Sequence, residues 1–291
     1  MDELPMEGLK VDRVSVNAGD IKILKNISFS LRAGDLCAVI GPSGAGKSTL
    51  IKTLLGLRTP DTGSVRLAGQ TVGEIGPIGY VPQDDAVHKT LTLRQTLQYA
   101  IELRRPGLDS MKADRLIRSV AAKLSLDERL DTRIRRLSGG QRKRVSVAIE
   151  LITDPELLIL DEPTSGLDPH LESQLMDLFA DLAGSDRLVM VATHAMQSLA
   201  KCDVLLILAE GRLVFLGMPG DALKHFHVDT YAGIFGKLAS DSAERWARVY
   251  SSSEARRKFA GRQSEEPAGS ELDDGGGRVT FVHPSLKRTT S

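Results

Sequence analysis

Two short stretches of the chain carry residue types suited to phosphate chemistry. Gly41 to Ser48 reads GPSGAGKS. Its glycines let the backbone curl so that successive N–H groups face one anion. The apolar run LCAVI before it has the pattern of a strand covered on both faces. The chain after it opens a helix, whose N-terminus adds the positive end of its dipole. Lys47 supplies a point charge to terminal phosphates, and the Ser48 hydroxyl suits Mg²⁺. Gly41, Pro42, Ser43, Gly44, Ala45, Gly46, Lys47, Ser48 and Thr49 form the candidate cradle. The second stretch, LLILDEP from Leu157 to Pro163, is an apolar strand ending in two acids. In α/β sheets such strand ends border ligands. Asp161 is placed to hold a metal ion and Glu162 to polarise an attacking water as general base.

Composition narrows what such a site would serve. The 291 residues hold 38 basic and 38 acidic side chains, so net charge gives no case for nucleic acid as partner. Two cysteines, Cys37 and Cys202, lie far apart and suggest a reducing compartment. Cys37, inside LCAVI, reads as a buried structural thiol. The N-terminal residues have no apolar core of a signal peptide. The longest apolar runs, such as VLLILA at 204–209, are about a third of the ~20 residues a membrane span needs. Work at a membrane would therefore need docking to another polypeptide or to a further part of the same one. The cradle matches G-x-x-x-x-G-K-[ST] in full, between a strand and a helix. With the paired acids this says P-loop NTPase; GTPases, helicases and kinases share both features.

The elements that must position these residues follow from periodicity. LKVDRVSV, KILKNISFSL and GSVRLAGQTV alternate as strands. Residues 91–152 change to helical spacing. LTLRQTLQYAIELR starts with a capping box, Thr92 and Gln95, and lines Leu93, Leu97, Ala100 and Ile101 on one face. A second helix lines Leu116, Ile117, Val120, Ala121 and Leu124. A third follows Ser138, with Val145, Ala148, Ile149 and Ile152 inward. Pro155 disfavours helix at Asp154. ELLIL, RLVMVAT, VLLIL and RLVFLG then return to strand, with a helix carrying Leu171, Leu175, Leu178, Phe179 and Leu182 between the first two. The alternation predicts an α/β fold with a mostly parallel sheet, into which the helical block is inserted. Residues 219–260 read as amphipathic helix with most of the late aromatics. From 261 the polar, Gly- and Glu-rich sequence reads as a linker or disordered tail.

The stretch LSGGQRKRVSVAIELITDPELLILDEPTSGLD resembles the nucleotide-binding domain of ATP-binding cassette (ABC) transporters, through LSGGQ standing shortly before LLILDEPTSGLD. The resemblance covers about residues 8–217 and implies a RecA-like core, an antiparallel β subdomain and a helical subdomain inserted at about 88–153. Residues 218–260 would be a helical extension and 261–291 a tail. GYVPQDD resembles the Q-loop with Gln83, which implies contact with Mg²⁺ and the water. SGLD resembles the D-loop, ending at Asp168. VMVATHA resembles the switch strand, with His194 contacting the γ-phosphate. GYVPQDD, LTLRQTLQYAIELR and SGGQRKRVSVAIEL are similar to the ABC-G branch and its bacterial relatives, where ATPase and membrane domain usually share one chain. One departure stands out. Where many relatives stack adenine on an aromatic ring, this chain reads VSVNAGDIKIL, so preference for ATP follows from the resemblance and not from a base-reading residue.

Ser138, Gly139, Gly140 and Gln141 fit a capping box and also leave N–H groups for a second anion. Asp168 before Pro169 fits a helix cap. The resemblance implies that both also face a second subunit, each ATP lying between one P-loop and the opposite signature. Arg142, Lys143 and Arg144 read as a mostly solvated turn, with a minority reading in which one of them supports the phosphate or nearby acids. The implied protein is an ATP- and Mg²⁺-dependent ATPase, in a homodimer or heterodimer. It would sit at the cytoplasmic face of a membrane through a transmembrane domain on the same chain or a separate subunit, and its transport would be export. The alternative is a soluble ABC ATPase acting on ribosomes or DNA. A single cassette, with about 90 residues between Lys47 and Ser138, speaks against that alternative.

Overall fold

The computed structural model describes residues 8–72, 78–84, 87–184 and 187–264. β1 (Leu9–Ala18) and β2 (Ile21–Leu31) form an antiparallel hairpin. Leu9, Val11, Val14 and Val16 of β1 are buried, as are Leu24, Ile27, Phe29 and Leu31 of β2. β3 (Leu36–Ile40) is buried along its whole length, as its unbroken apolar run requires. After α1 (Lys47–Leu54), β4 (Thr62–Leu67) pairs with β1 and β5 (Gln70–Thr71) turns back on β4. The reading of residues 63–72 as one strand is thus corrected. Ala68 and Gly69, with φ of 48° and 75°, form a tight reversal that pairs Leu67 with Gln70.

The second sheet carries the site. It contains β6 (Gly79–Val81), β7 (Leu157–Asp161), β8 (Leu188–Ala192), β9 (Val204–Ala209) and β10 (Arg212–Gly217), in the order β10-β9-β3-β8-β7-β6. All its pairings are parallel except that of β10 with β9. Between β6 and β7 stand α2 (Leu93–Arg104), α3 (Ser110–Lys123) and α4 (Gly139–Leu151). α5 (Pro169–Ala183) joins β7 to β8. The faces assigned from periodicity are the buried ones in α2, where Leu93, Leu97, Ala100 and Ile101 are at most 6% exposed. α4 differs. Ile149 is only partly buried, while Lys143, Ser146, Val147 and Leu151 join Val145 and Ala148 inside. This helix is covered on several sides, so one stripe does not describe it. Asp154 takes φ 49° just before Pro155, ending the helical run.

Four helices close the described chain: α6 (Pro219–Phe226), α7 (Tyr231–Ser240), α8 (Ala243–Ser252) and α9 (Glu254–Ser264). α6 and α8 pack through aromatic rings against β10. Phe215 of β10 lies 6.1 Å from Phe226 and 5.6 Å from Tyr250, and Phe226 lies 4.8 Å from Trp246. The Tyr250 hydroxyl donates to the Leu216 carbonyl at 2.8 Å, giving the buried polar tip its partner. α9 carries on past residue 260, where a tail was expected. Lys258 pairs with Asp221 at 3.0 Å, and Arg262 reaches the buried Asp35 carboxylate at 2.9 Å. Burial raises the Asp35 carboxyl above its usual range, and Arg262 opposes that rise. The rest of the expected tail, from 265, lies outside the described residues. Cys37 and Cys202 are both buried and free. Among the described residues no helix is long and apolar enough to cross a membrane.

Phe215 is fully buried between β10 and the terminal helices. Phe215→Ala is expected to cost about 3–5 kcal/mol. It should lower the urea midpoint of unfolding with an unchanged slope.

Candidate active site

β3, β8, β7 and β6 run parallel side by side, so their C-terminal ends form one edge. Register aligns those ends: Val39 and Asp161 both pair with Ala192, and Val81 pairs with Leu160. Beyond β3 comes Gly41–Thr49, beyond β6 Gln83, beyond β7 Glu162 and beyond β8 His194. Residues far apart in sequence thus leave the sheet along one line.

The cradle is shaped by close approach. A Cβ on Gly41 would lie 2.2 Å from the Leu208 carbonyl oxygen. Gly46 has φ 102°, and a Cβ there would lie 2.8 Å from Leu24 Cδ2, so β2 presses on the loop. Backbone bonds brace it: Ala45 N–H donates to the Pro42 carbonyl and Gly211 N–H to the Ala45 carbonyl. Gly46 caps α1 without a side chain, leaving the first N–H groups of the helix for a ligand. The helices α2, α3, α4 and α5 instead carry capping side chains from Thr92, Asp109, Ser138 and Asp168. Lys47 Nζ donates to the Gly41 carbonyl at 2.7 Å and the Pro42 carbonyl at 3.3 Å. Burial lowers its pKa, while Glu162 and Asp161 oppose that. Ser48 is exposed and Thr49 partly buried.

Glu162 is the hub. Its Oε1 lies 3.0 Å from His194 Nε2, and its Oε2 accepts from Gln83 Nε2 at 3.2 Å. Its backbone is left-handed, φ 47°, held by its N–H on the Ala192 carbonyl and its carbonyl on Ser165 N–H. A non-glycine residue pays roughly 1–2 kcal/mol for that conformation. His194 sits in a turn fixed by Ala195 N–H on Thr193 Oγ1 at 2.9 Å. Asp161, beside it, is half buried. Burial and the neighbouring Glu162 raise its carboxyl above the usual range, and a hydrogen bond from the Tyr80 hydroxyl pulls it back. Ser48 hydroxyl, Asp161 carboxylate and Gln83 amide oxygen make an all-oxygen donor set, which fits a hard cation such as Mg²⁺. Among the described residues no cluster of three His, Cys, Asp or Glu could hold a metal alone.

Ser138–Gln141 and Asp168 lie on neighbouring segments. Ser138 Oγ accepts from Gln141 N–H at 3.2 Å, and Gln141 Oε1 accepts from Ser138 N–H at 3.0 Å. Asp168 Oδ1 accepts from the N–H groups of His170 and Leu171, both at 3.0 Å. A Cβ on Gly139 would meet Leu167 at 3.4 Å, so the signature turn lies against the segment ending in Asp168. Among the described residues no hydrogen bond joins Ser138–Gln141 to Gly41–Thr49. The reading of Arg142, Lys143 and Arg144 as mostly solvated is corrected: Arg142 and Arg144 are partly buried and Lys143 is buried. They lie in α4, and Lys143 is only 7% exposed, with Nζ donating to the Gln83 carbonyl. Tyr80 is not singled out by the sequence, and Lys143 is read there mainly as solvated. The signal for Lys143 was its helical spacing from Val147 and Glu150, and that for Tyr80 was its place one strand from the acids.

Residues 24–165 match the family model described as ABC transporter. The Nod factor export ATP-binding protein I of Burkholderia lata is 32% identical over 222 residues, 74% of this chain and 72% of that one. This chain belongs to the ABC transporter ATP-binding proteins. An ABC transporter ATP-binding/permease protein of Mycobacterium tuberculosis is 46% identical over 238 residues, 79% of this chain, which spans only 27% of that relative. ABC transporter G family member 20 of Dictyostelium discoideum is 31% identical over 78% of this chain and 32% of its own. A solved ATP binding subunit of an ABC transporter superposes with a TM-score of 0.67 at 26% identity, over 79% of this chain and 99% of that one. As in that family, the nucleotide is ATP, and the fold is that of an ABC-type ATPase.

Lys47→Ala removes the cationic group of the ABC cradle. ATP affinity is expected to fall roughly tenfold to a hundredfold, the worth of one or two charge-assisted hydrogen bonds. Equilibrium titration with a fluorescent ATP analogue measures it.

Proposed function

We propose that this chain is the ATP-hydrolysing cassette of a transporter, closing head to tail with a second cassette around two ATP molecules and driving export through a transmembrane domain. The single observation that carries the reading is the double hold on Glu162 by Gln83 and His194 beside the cradle. In this mechanism the backbone of Gly41–Thr49 and Lys47 hold the phosphates. Glu162 takes the proton of the attacking water while Gln83 orients that water. His194 contacts the γ-phosphate. Oxygen attacks the γ-phosphorus, the bond to ADP breaks, and phosphate is released. Mg²⁺, which Ser48, Asp161 and Gln83 would hold, supplies charge neutralisation at the phosphate oxygens when bound.

Ser138, Gly139, Gly140, Gln141 and Asp168 act on the partner cassette's ATP. Support comes from the open N–H groups of Gly139 and Gly140 at a helix N-terminus. The second cassette is another copy or a close relative. The membrane domain is a separate subunit or part of a longer chain, and the cassette works at the cytoplasmic face. Export is supported by the Nod factor export relative.

Glu162→Gln should bind ATP, lose at least about a hundredfold in turnover and accumulate as a dimer in light scattering. Unchanged turnover overturns the assignment of Glu162. Wild-type specific activity should rise with protein concentration in the monomer range. A mixing experiment tests the two-subunit site. Lys47→Ala and Ser138→Arg chains, each inactive alone, should recover activity together, because one composite site in the mixed dimer is then intact. No recovery would mean that cradle and signature serve the same ATP in one chain.

A further inference from the structure

The segment Tyr80–Gln83 lies between two parts of the molecule. On one side its side chains meet the acids: the Tyr80 hydroxyl bonds Asp161, and Gln83 Nε2 donates to Glu162 Oε2 at 3.2 Å. On the other side its backbone is held by α4. Lys143 Nζ donates to the Gln83 carbonyl, and Glu150 Oε2 accepts from Tyr80 N–H at 3.3 Å. The two holds match in length. Lys143 and Glu150 are seven residues apart on a helix, a rise of about 10.5 Å along one face. Tyr80 and Gln83 are three residues apart, a reach of at most about 10 Å. The helix and the segment run antiparallel and are pinned at both ends. Glu150 is fixed in turn by Arg104 of α2, with bonds of 2.9 and 2.8 Å. A lysine as buried as Lys143 is rare without a committed partner. Among its partners is the backbone carbonyl of Gln83, a residue whose side chain donates to Glu162.

We propose that Lys143 is a positioning residue for hydrolysis, setting Gln83, and through it Glu162, from the body of the signature helix. α4 begins at Ser138–Gln141, the turn assigned to the partner's ATP. The same rigid helix therefore contacts the partner's nucleotide at its N-terminus and holds the acids of its own subunit from its middle. Engagement of one ATP site is passed to the other along one helix. The inference rests on the assignment of Glu162 as general base and of Ser138–Gln141 to the partner's ATP.

The test is a double-substitution cycle in the full chain. Lys143→Met keeps the length and apolar stem and removes the donor. It should lower kcat roughly tenfold, the effect of one charge-assisted hydrogen bond, with ATP affinity and melting temperature little changed. Gln83→Ala should lower kcat on its own. Adding Lys143→Met to it should then change kcat by less than twofold, because Lys143 acts through the side chain already removed. Should Lys143→Met fail to fold, Lys143→Gln takes its place in the cycle. Multiplying effects, or a loss in ATP affinity with unchanged kcat, would overturn the proposal. Glu162→Gln run in parallel separates the two readings. If it stays active, the reading of the base is wrong. If it is inactive while Lys143→Met keeps full kcat, only the role of Lys143 is wrong.

Discussion

Everything at the site depends on hydrogen-bond register in a parallel sheet. Parallel strands have a direction, and β3, β8, β7 and β6 all deliver their following residues to one edge. A slip of one residue between β7 and β8 would turn Asp161 and its neighbours to the opposite face of the sheet. The fully apolar runs of β3 and β8 resist such slips, because both faces are covered by packing. Catalytic geometry here is an outcome of core packing. The acids stand where they do because Leu157–Leu160 are buried.

Much of this was readable from residue types. The cradle needs glycines, a lysine and a hydroxyl at set spacing, and it is read as a string because it acts through contiguous backbone. The caps at Thr92, Ser138 and Asp168 were legible for the same reason, each being a contact across three residues or fewer. Helical faces with one covering partner, such as that of α2, follow from a period of 3.6 residues.

What escaped reading is non-local or many-sided. α4 is enclosed by neighbours on several sides, so its buried set includes a lysine and a serine that an amphipathic stripe assigns to solvent. One partner that helps make Lys143 tolerable, the Gln83 carbonyl, is 60 residues away. The break at Ala68 depends on a non-glycine residue taking a left-handed conformation, which residue type did not signal. The extension of α9 through Ser264 depends on Arg262 finding Asp35, which lies 227 positions back. In polar sequence, local composition says little about such an anchor.

The left-handed backbone of Glu162 has a consequence for how this domain tolerates change. The carboxylate at the centre of the site stands in a backbone conformation that strains most side chains, whereas glycine would sit at ease and asparagine would be strained less. Folding and chemistry therefore favour different residues at one position. With Glu162 in the proposed role of general base, a library of variants sorted only for expression or heat resistance would drift away from glutamate there and enrich well-folded, silent proteins. Robustness in such a screen is a poor proxy for a working cassette.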